Sequence, residues 1–283
     1  MEVVVPPVLH EAIVTLATKR TMLESDKNSL ETIVVGSSHG DCAFNPAYFD
    51  LSFNLCSSSQ DLKHSFGLYR HTCNVAQNLK RVIVFYSVFS PGFYLEKVHS
   101  EKEKCPALNE IFSLGLVYDD PEIEALSANI LGKLGGFAYE PEVGSCSGFT
   151  PTQGKYRFPE TYGAQRRAQD HMKLNVIHEA NVHLLDIMLL AKSRGHDVYI
   201  VIPPVREDYM EALNGDFSNL FGDLIDIVTM YGNLSPTQKI DLVSFFGDDD
   251  FRHEHFGDYD HLLPTGEGTM LLTAKLRDHI FGS

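Results

Sequence analysis

Three short apolar runs constrain this chain more than any other feature: Thr32–Val35, Arg81–Tyr86 and Asp197–Ile202. All three are rich in Val and Ile, and none alternates polar with apolar residues. A strand of that kind has no face for water, as in a parallel sheet covered on both sides. Between the runs the spacing turns helical. Leu9, Ile13, Leu16 and Ala17 predict a helix over residues 8–30. Leu174, Ile177, Val182, Leu185, Ile187 and Leu189 predict one long helix over 165–193, stopped by Gly195. A second strand is expected over 49–55. It leads into the polar group Ser57–Asp61, which can cap a helix passing through Leu68, Tyr69 and Cys73. Helices over 206–213 and 266–280, an apolar run over 220–228 and a last strand within 239–246 complete the pattern. Strands alternating with helices predict an α/β fold, a three-layer α/β/α sandwich around a mostly parallel central sheet. At 283 residues the chain suits one such domain spanning 1–283.

Residues 90–162 break the pattern. Six prolines (Pro91, Pro106, Pro121, Pro141, Pro151 and Pro159) and the Gly135-Gly136 pair fall there. Some helix is expected over 121–134 and loops elsewhere. A stretch this long between strands reads either as an insertion shaping a substrate site or as a surface excursion.

Composition excludes several function classes. The formal net charge of −15 argues against phosphate-backbone binding, which needs clustered Lys and Arg, so no nucleic-acid partner is expected. The hydrophobic content of 43% supplies a core, yet no apolar run approaches the roughly 18 residues of a membrane span. The N-terminal residues lack the pattern of a signal peptide. The five cysteines are odd in number and form no Cys-x-x-Cys pair. They read as reduced thiols of a cytoplasmic protein rather than as zinc ligands. Cys42 and Cys56 are expected to be buried and inert. No phosphate-binding glycine loop occurs, and no cofactor is expected. His253 and His255, with Asp248–Asp250 upstream, lack a helical His-x-x-x-His spacing and read as a solvated acidic run, so no metal is expected.

Chemistry is expected where the first strand ends. Thr32–Val35 runs into Gly36-Ser37-Ser38-His39, and ligands of open parallel sheets bind at the carboxyl ends of strands. A serine at that turn is exposed, and main-chain N–H groups beside it can hold an oxyanion. Far along the chain, Asp258-Tyr-Asp-His261 offers a carboxylate and an imidazole three residues apart, on a loop entering the last helix. An imidazole can take a serine proton and return it while a carboxylate fixes its tautomer. The alternative is a helix N-terminal region with Asp258 or Asp260 as surface carboxylates and His261 a bystander. His39 adjoins the candidate nucleophile, but neighbours on a turn usually diverge, so a structural or substrate-contacting role is expected. Pro203-Pro204 and Tyr209 end a strand on the same side and read as pocket lining or a rigid loop.

Gly36-Ser37-Ser38 near one end and Asp258-x-x-His261 near the other resemble the first and last blocks of the SGNH/GDSL hydrolase superfamily. The resemblance implies that Ser38 is the nucleophile, His261 the base and Asp258 the acid of a triad. Ser37 stands where the family carries Asp. Asn54–Gln60 resembles the block with an oxyanion-hole glycine, and Ser59 falls at that glycine. After the third strand the family carries Gly-x-Asn, whose Asn donates to the oxyanion, whereas here the stretch is Ser87–Ser90. Ser59 keeps a main-chain N–H. The lost side-chain donor, worth about 2.7–4 kcal/mol, must come from Ser87, Asn54, Gln60 or the 90–162 stretch, unless activity is low. The resemblance implies a serine esterase or deacetylase, with O-acylated carbohydrate among its substrate classes. Two alternatives stand beside it: a carbohydrate O-acyltransferase using the same acyl-enzyme, and a catalytically silent glycan-binding or assembly protein.

Overall fold

The computed structural model describes residues 7–125, 144–151, 163–215, 217–234 and 238–282. Five strands form one parallel sheet: β1 (Thr32–Val35), β2 (Ser52–Asn54), β3 (Arg81–Phe85), β4 (Asp197–Ile202) and β5 (Ile240–Ser244). Their order is β2-β1-β3-β4-β5, with every pairing parallel. This is a doubly wound sheet, and its strand order reverses between β1 and β3, where such folds open a crevice.

The apolar strands are covered on both faces, as their composition requires. Ile33, Val35, Val82, Val84, Val198 and Ile200 pack into one core with helices α1 (Pro7–Asp26), α3 (Leu62–Val75), α4 (Lys104–Phe112) and α6 (Asn181–Arg194). Val34, Ile83, Phe85, Tyr199 and Val201 point the other way, into a second core under α9 (Glu267–Phe281). The period-2 alternation of side chains along a strand thus divides each run between two layers. The short α2 (Ser38–Ala43) starts at the end of β1, and α5 (Ala164–Leu174), α7 (Glu207–Leu213) and α8 (Phe217–Leu234) complete the helices. No helix among the described residues is long and apolar enough to cross a membrane.

Several expectations need correction. The second strand is shorter than 49–55, and Pro46–Tyr48 before it is a turn of 3-10 helix. The helix expected over 165–193 is two, α5 and α6. Asn175 closes the first: its amide donates to Leu220 O (3.1 Å) and its Oδ1 pairs with His178 Nε2 (2.9 Å). These bonds replace helical ones. The turn after it packs over Gly92, where a Cβ would lie 2.1 Å from Leu174 O and 2.7 Å from Ile177 O.

The 90–162 stretch is not all loop. Its described part contains α4, which takes Pro106 in its first turn, where a missing N–H costs no helical bond. Leu95, Cys105, Leu108, Phe112, Leu114 and Tyr118 enter the main core. At least residues 95–118 are therefore framework. Of the helix expected over 121–134, residues 121–125 are helical and the rest lies outside the described residues, as do 126–143 and 152–162.

Candidate active site

Gly36 lets β1 turn into α2. Its φ is +146°, and a Cβ there would meet Phe85 Cβ and Phe85 O at 2.8 Å. Any side chain would push β3 away, so the strand end accepts glycine alone. Two residues on, Ser38 opens α2 at the carboxyl end of β1. Its Oγ lies 2.8 Å from His261 Nε2. His261 Nδ1 lies 3.0 Å from both carboxylate oxygens of Asp258. All three residues are buried, Ser38 the least so at 8% exposure.

The Asp-x-x-His spacing has a local cause. Asp258 Oδ1 accepts from the main-chain N–H groups of Asp260 (3.0 Å) and His261 (2.9 Å). The carboxylate thereby winds its own loop into a turn and delivers the imidazole onto itself. Gly257 N–H donates to His261 O (2.8 Å) and Leu263 N–H to His255 O (2.9 Å), which close the loop's base. Burial disfavours the charged imidazolium, but Asp260 and then Asp258 outweigh it, so the pKa of His261 is raised.

Asp260, a surface carboxylate in the alternative reading of the sequence, is 1% exposed. Its Oδ2 accepts from Arg167 Nη2 (3.1 Å) and from His39 Nε2 (3.1 Å). Burial opposes its ionisation, yet Arg167, His261 and His39 hold the carboxyl well below its usual range. His39 does not diverge from the site. Its ring stacks on His261 with centroids 4.5 Å apart at 23°, and Ser37 Oγ lies 3.1 Å from its Nδ1. With both ring nitrogens engaged and the residue buried, His39 is placed for structural support rather than substrate contact. Burial, then His261, lowers its pKa, against the Asp260 carboxylate. His171 packs nearby against Phe89 (4.6 Å between centroids), with Nδ1 2.6 Å from the Tyr209 hydroxyl. Tyr209 is thus buried beside this cluster, in α7.

On the oxyanion side, the turn after β2 is fixed from three directions. Ser57 N–H donates to Gly36 O (3.2 Å). Ser57 Oγ donates to Gln60 Oε1 (2.9 Å), and Gln60 Nε2 donates to Ser65 Oγ (3.0 Å). Lys19 Nζ donates to Cys56 O (2.5 Å). Within this turn Ser59 has φ +58°, the left-handed region a glycine adopts freely. Asn54 is not free to act as a donor to substrate. Its Nδ2 donates to Gly40 O (2.9 Å) and Phe44 O (2.8 Å), and its Oδ1 accepts from Cys56 N–H (2.9 Å). Gln60 is held at both ends of its amide by Ser57 and Ser65. Ser87, just past β3, differs: its N–H donates to Ser90 Oγ (2.8 Å), while its own Oγ is buried with no hydrogen-bond partner.

Lys19 ties this architecture together. It is 1% exposed and also donates to Asp41 Oδ1 at 2.6 Å. Burial raises the Asp41 pKa, and Lys19 only partly offsets it. Neither this pair nor Asp260–Arg167 is marked by a sequence motif. Lys19 sits in a helical pattern that ordinarily places Lys at the surface, and Arg167 lies 93 residues from its partner.

His39, Asp260 and His261 bring ligand atoms within 4.8 Å of one another. Arg167 already occupies the Asp260 carboxylate and His261 Nε2 faces Ser38, so this donor set fits a hydrogen-bonded network better than a cation. Asp248 and Asp250 pair with Lys275, and His255 Nδ1 accepts from Arg252 N–H (3.2 Å), so the 248–255 residues converge on no common point. Cys42 and Cys56 are buried thiols whose pKa burial pushes well above the usual value. Neither a family model nor a curated protein matches the chain.

Proposed function

We propose that this chain is a serine-dependent acyl-ester hydrolase. The observation that carries the reading is the hydrogen-bonded series Ser38 Oγ–His261 Nε2–Asp258, with steps of 2.8 and 3.0 Å, at the switch point of the sheet. Asp258 accepts from Nδ1–H, leaving the Nε2 lone pair for the serine proton. Ser38 Oγ bonds to the ester carbonyl carbon as its proton passes to Nε2. The resulting imidazolium returns that proton to the departing alkoxide, leaving an acyl-serine. Water, deprotonated by the same nitrogen, releases the acid and restores Ser38.

The oxyanion is assigned to the main-chain N–H groups of Ser38 and Ser59 and to the Ser87 hydroxyl. Ser87 is favoured among the side-chain candidates because Asn54 has both amide N–H groups engaged and Gln60 is held at both ends of its amide, while the Ser87 hydroxyl has no hydrogen-bond partner. O-acylated carbohydrate is the substrate class that the SGNH resemblance implies. Transfer of the acyl group to a sugar hydroxyl would use the same acyl-enzyme and differ only in the acceptor.

Labelling with a fluorophosphonate and turnover of p-nitrophenyl acetate test the assignment. Ser38→Ala abolishes labelling and lowers turnover by about 10⁴-fold or more. Equal signal from wild type and variant sinks it. With an acetylated sugar donor, free acetate marks hydrolysis and a newly acetylated sugar marks transfer.

A further inference from the structure

His261 has more around it than a Ser–His–Asp series requires. Asp260 Oδ1 lies 3.5 Å from His261 Nδ1, the nitrogen that already faces Asp258. Asp260 cannot swing away, because Arg167 spans it, Nε to Oδ1 at 3.2 Å and Nη2 to Oδ2 at 3.1 Å. His39 closes the other side. Since Asp260 can only accept, His39 carries its proton on Nε2, and its Nδ1 then accepts from Ser37 Oγ–H. The result is a Ser37–His39–Asp260 series alongside Ser38–His261–Asp258, with the two imidazoles stacked 4.5 Å apart.

We propose that Asp260 is a positioning residue for His261: a second carboxylate, held by Arg167 and His39, that shares with Asp258 the task of keeping Nδ1 protonated and the ring aimed at Ser38. Its catalytic meaning rests on the hydrolase reading, whereas its effect on His261 does not. The groups facing His261 are Asp258 and Asp260 from its own loop, His39 and Asp41 from α2, and Arg167 and His171 from α5. Tyr209 of α7 borders the same cluster. Of these, the Asp260 and Asp258 carboxylates favour the imidazolium most, with Asp41 a third carboxylate, while the Arg167 guanidinium and the cost of burial oppose it.

The test is a ¹H–¹³C titration of the His261 ring by NMR, with circular dichroism as the check on folding. Removing a buried negative charge disfavours the imidazolium, so Asp260→Asn moves the His261 midpoint down by about one unit or more. Asp260→Glu restores it. An unmoved midpoint in a folded Asp260→Asn protein overturns the proposal. Asp258→Asn supplies a second arm if Asp260→Asn does not fold. With Asp260 in place, the His261 midpoint in Asp258→Asn falls by less than about one unit. A larger fall also overturns the proposal. These midpoints are read without turnover, so absent fluorophosphonate labelling of wild type would sink the hydrolase reading and leave the titration standing. In active protein, Asp260→Asn moves the acid limb of kcat/KM to lower pH by the same amount.

Discussion

At Ser87 a hydroxyl is buried with nothing to bond to, in the stretch after β3 where the SGNH resemblance calls for an asparagine donor. An unsatisfied buried hydroxyl costs the resting protein about 1–3 kcal/mol, a cost an enzyme can carry if the group acquires its partner in the transition state. Ser87→Ala therefore separates two quantities that usually move together. Thermal stability stays level or rises, while kcat on p-nitrophenyl acetate falls by about 10²-fold with KM little changed. A variant that is less stable and equally active would remove Ser87 from the oxyanion hole. The base behaves in a related way. Asp260 and Asp258 raise the His261 pKa against the pull of burial, and only the neutral imidazole accepts the serine proton. Activity accordingly rises with pH through a midpoint above about 6.5, the ordinary histidine value, as a pH profile of kcat/KM will show. Ser38, Asp258 and His261, which the structure brings together, could be picked out of the sequence through the resemblance of their two segments to the first and last SGNH/GDSL blocks. Asp260 could not, since one carboxylate beside another carries no signal until Arg167 and His39 are folded against it.

The elements carrying these residues are joined by a buried cation. Lys19 of α1 bonds to Asp41 of α2 and to the carbonyls of Asn54 and Cys56 at the end of β2, so one ammonium ties the nucleophile helix to the turn bearing Ser59. Lys19→Met takes this ammonium from a buried carboxyl and two carbonyls and lowers stability by about 3–5 kcal/mol. In Lys19→Met/Asp41→Leu the buried carboxyl that faced the ammonium is gone as well, and denaturant titration will show much of that loss recovered. Serine labelling stays depressed in the double variant, because the Cys56 carbonyl still lacks its donor. Strands were legible at this scale because their apolar runs are unbroken and flanked by turn residues. The α5–α6 break was not. Val176 and Ile177 continue the apolar pattern although they are exposed, and the bonds that stop α5 reach Leu220, far along the chain. The framework role of α4 was equally hidden, since the prolines around it look like loop and only its burial against the main core shows otherwise.

Across the whole molecule, proton uptake is weighted toward the unfolded state in mild acid. His39, His71, His171, His183 and His196 all have lowered pKa values, with burial the largest cause for each. Below about pH 6.5 the unfolded chain protonates these histidines, while the folded protein resists until its own lower values are reached. Their contribution to stability is therefore lost as pH falls from about 6.5, since stability rises with pH wherever the unfolded state binds more protons. His261 runs the other way: its raised pKa contributes stability that is present in acid and fades as pH rises through its folded value. The five histidines outnumber His261 and Asp41, whose raised values act the other way, so the melting temperature drops between pH 7 and pH 5, and a scan by circular dichroism across that range checks it.

Ser38 and His261 meet across a separation of 223 residues. Contacts that distant are entropically slow to close, since the intervening chain must be ordered before they reward it. The Ser38–His261 contact, and on the proposed function the reactivity of the serine, thus comes into being only when the first strand, the crossing helices and the closing loop have all docked. Fluorophosphonate reactivity consequently serves as a clock for the final step of folding, and during refolding it lags the return of helical signal.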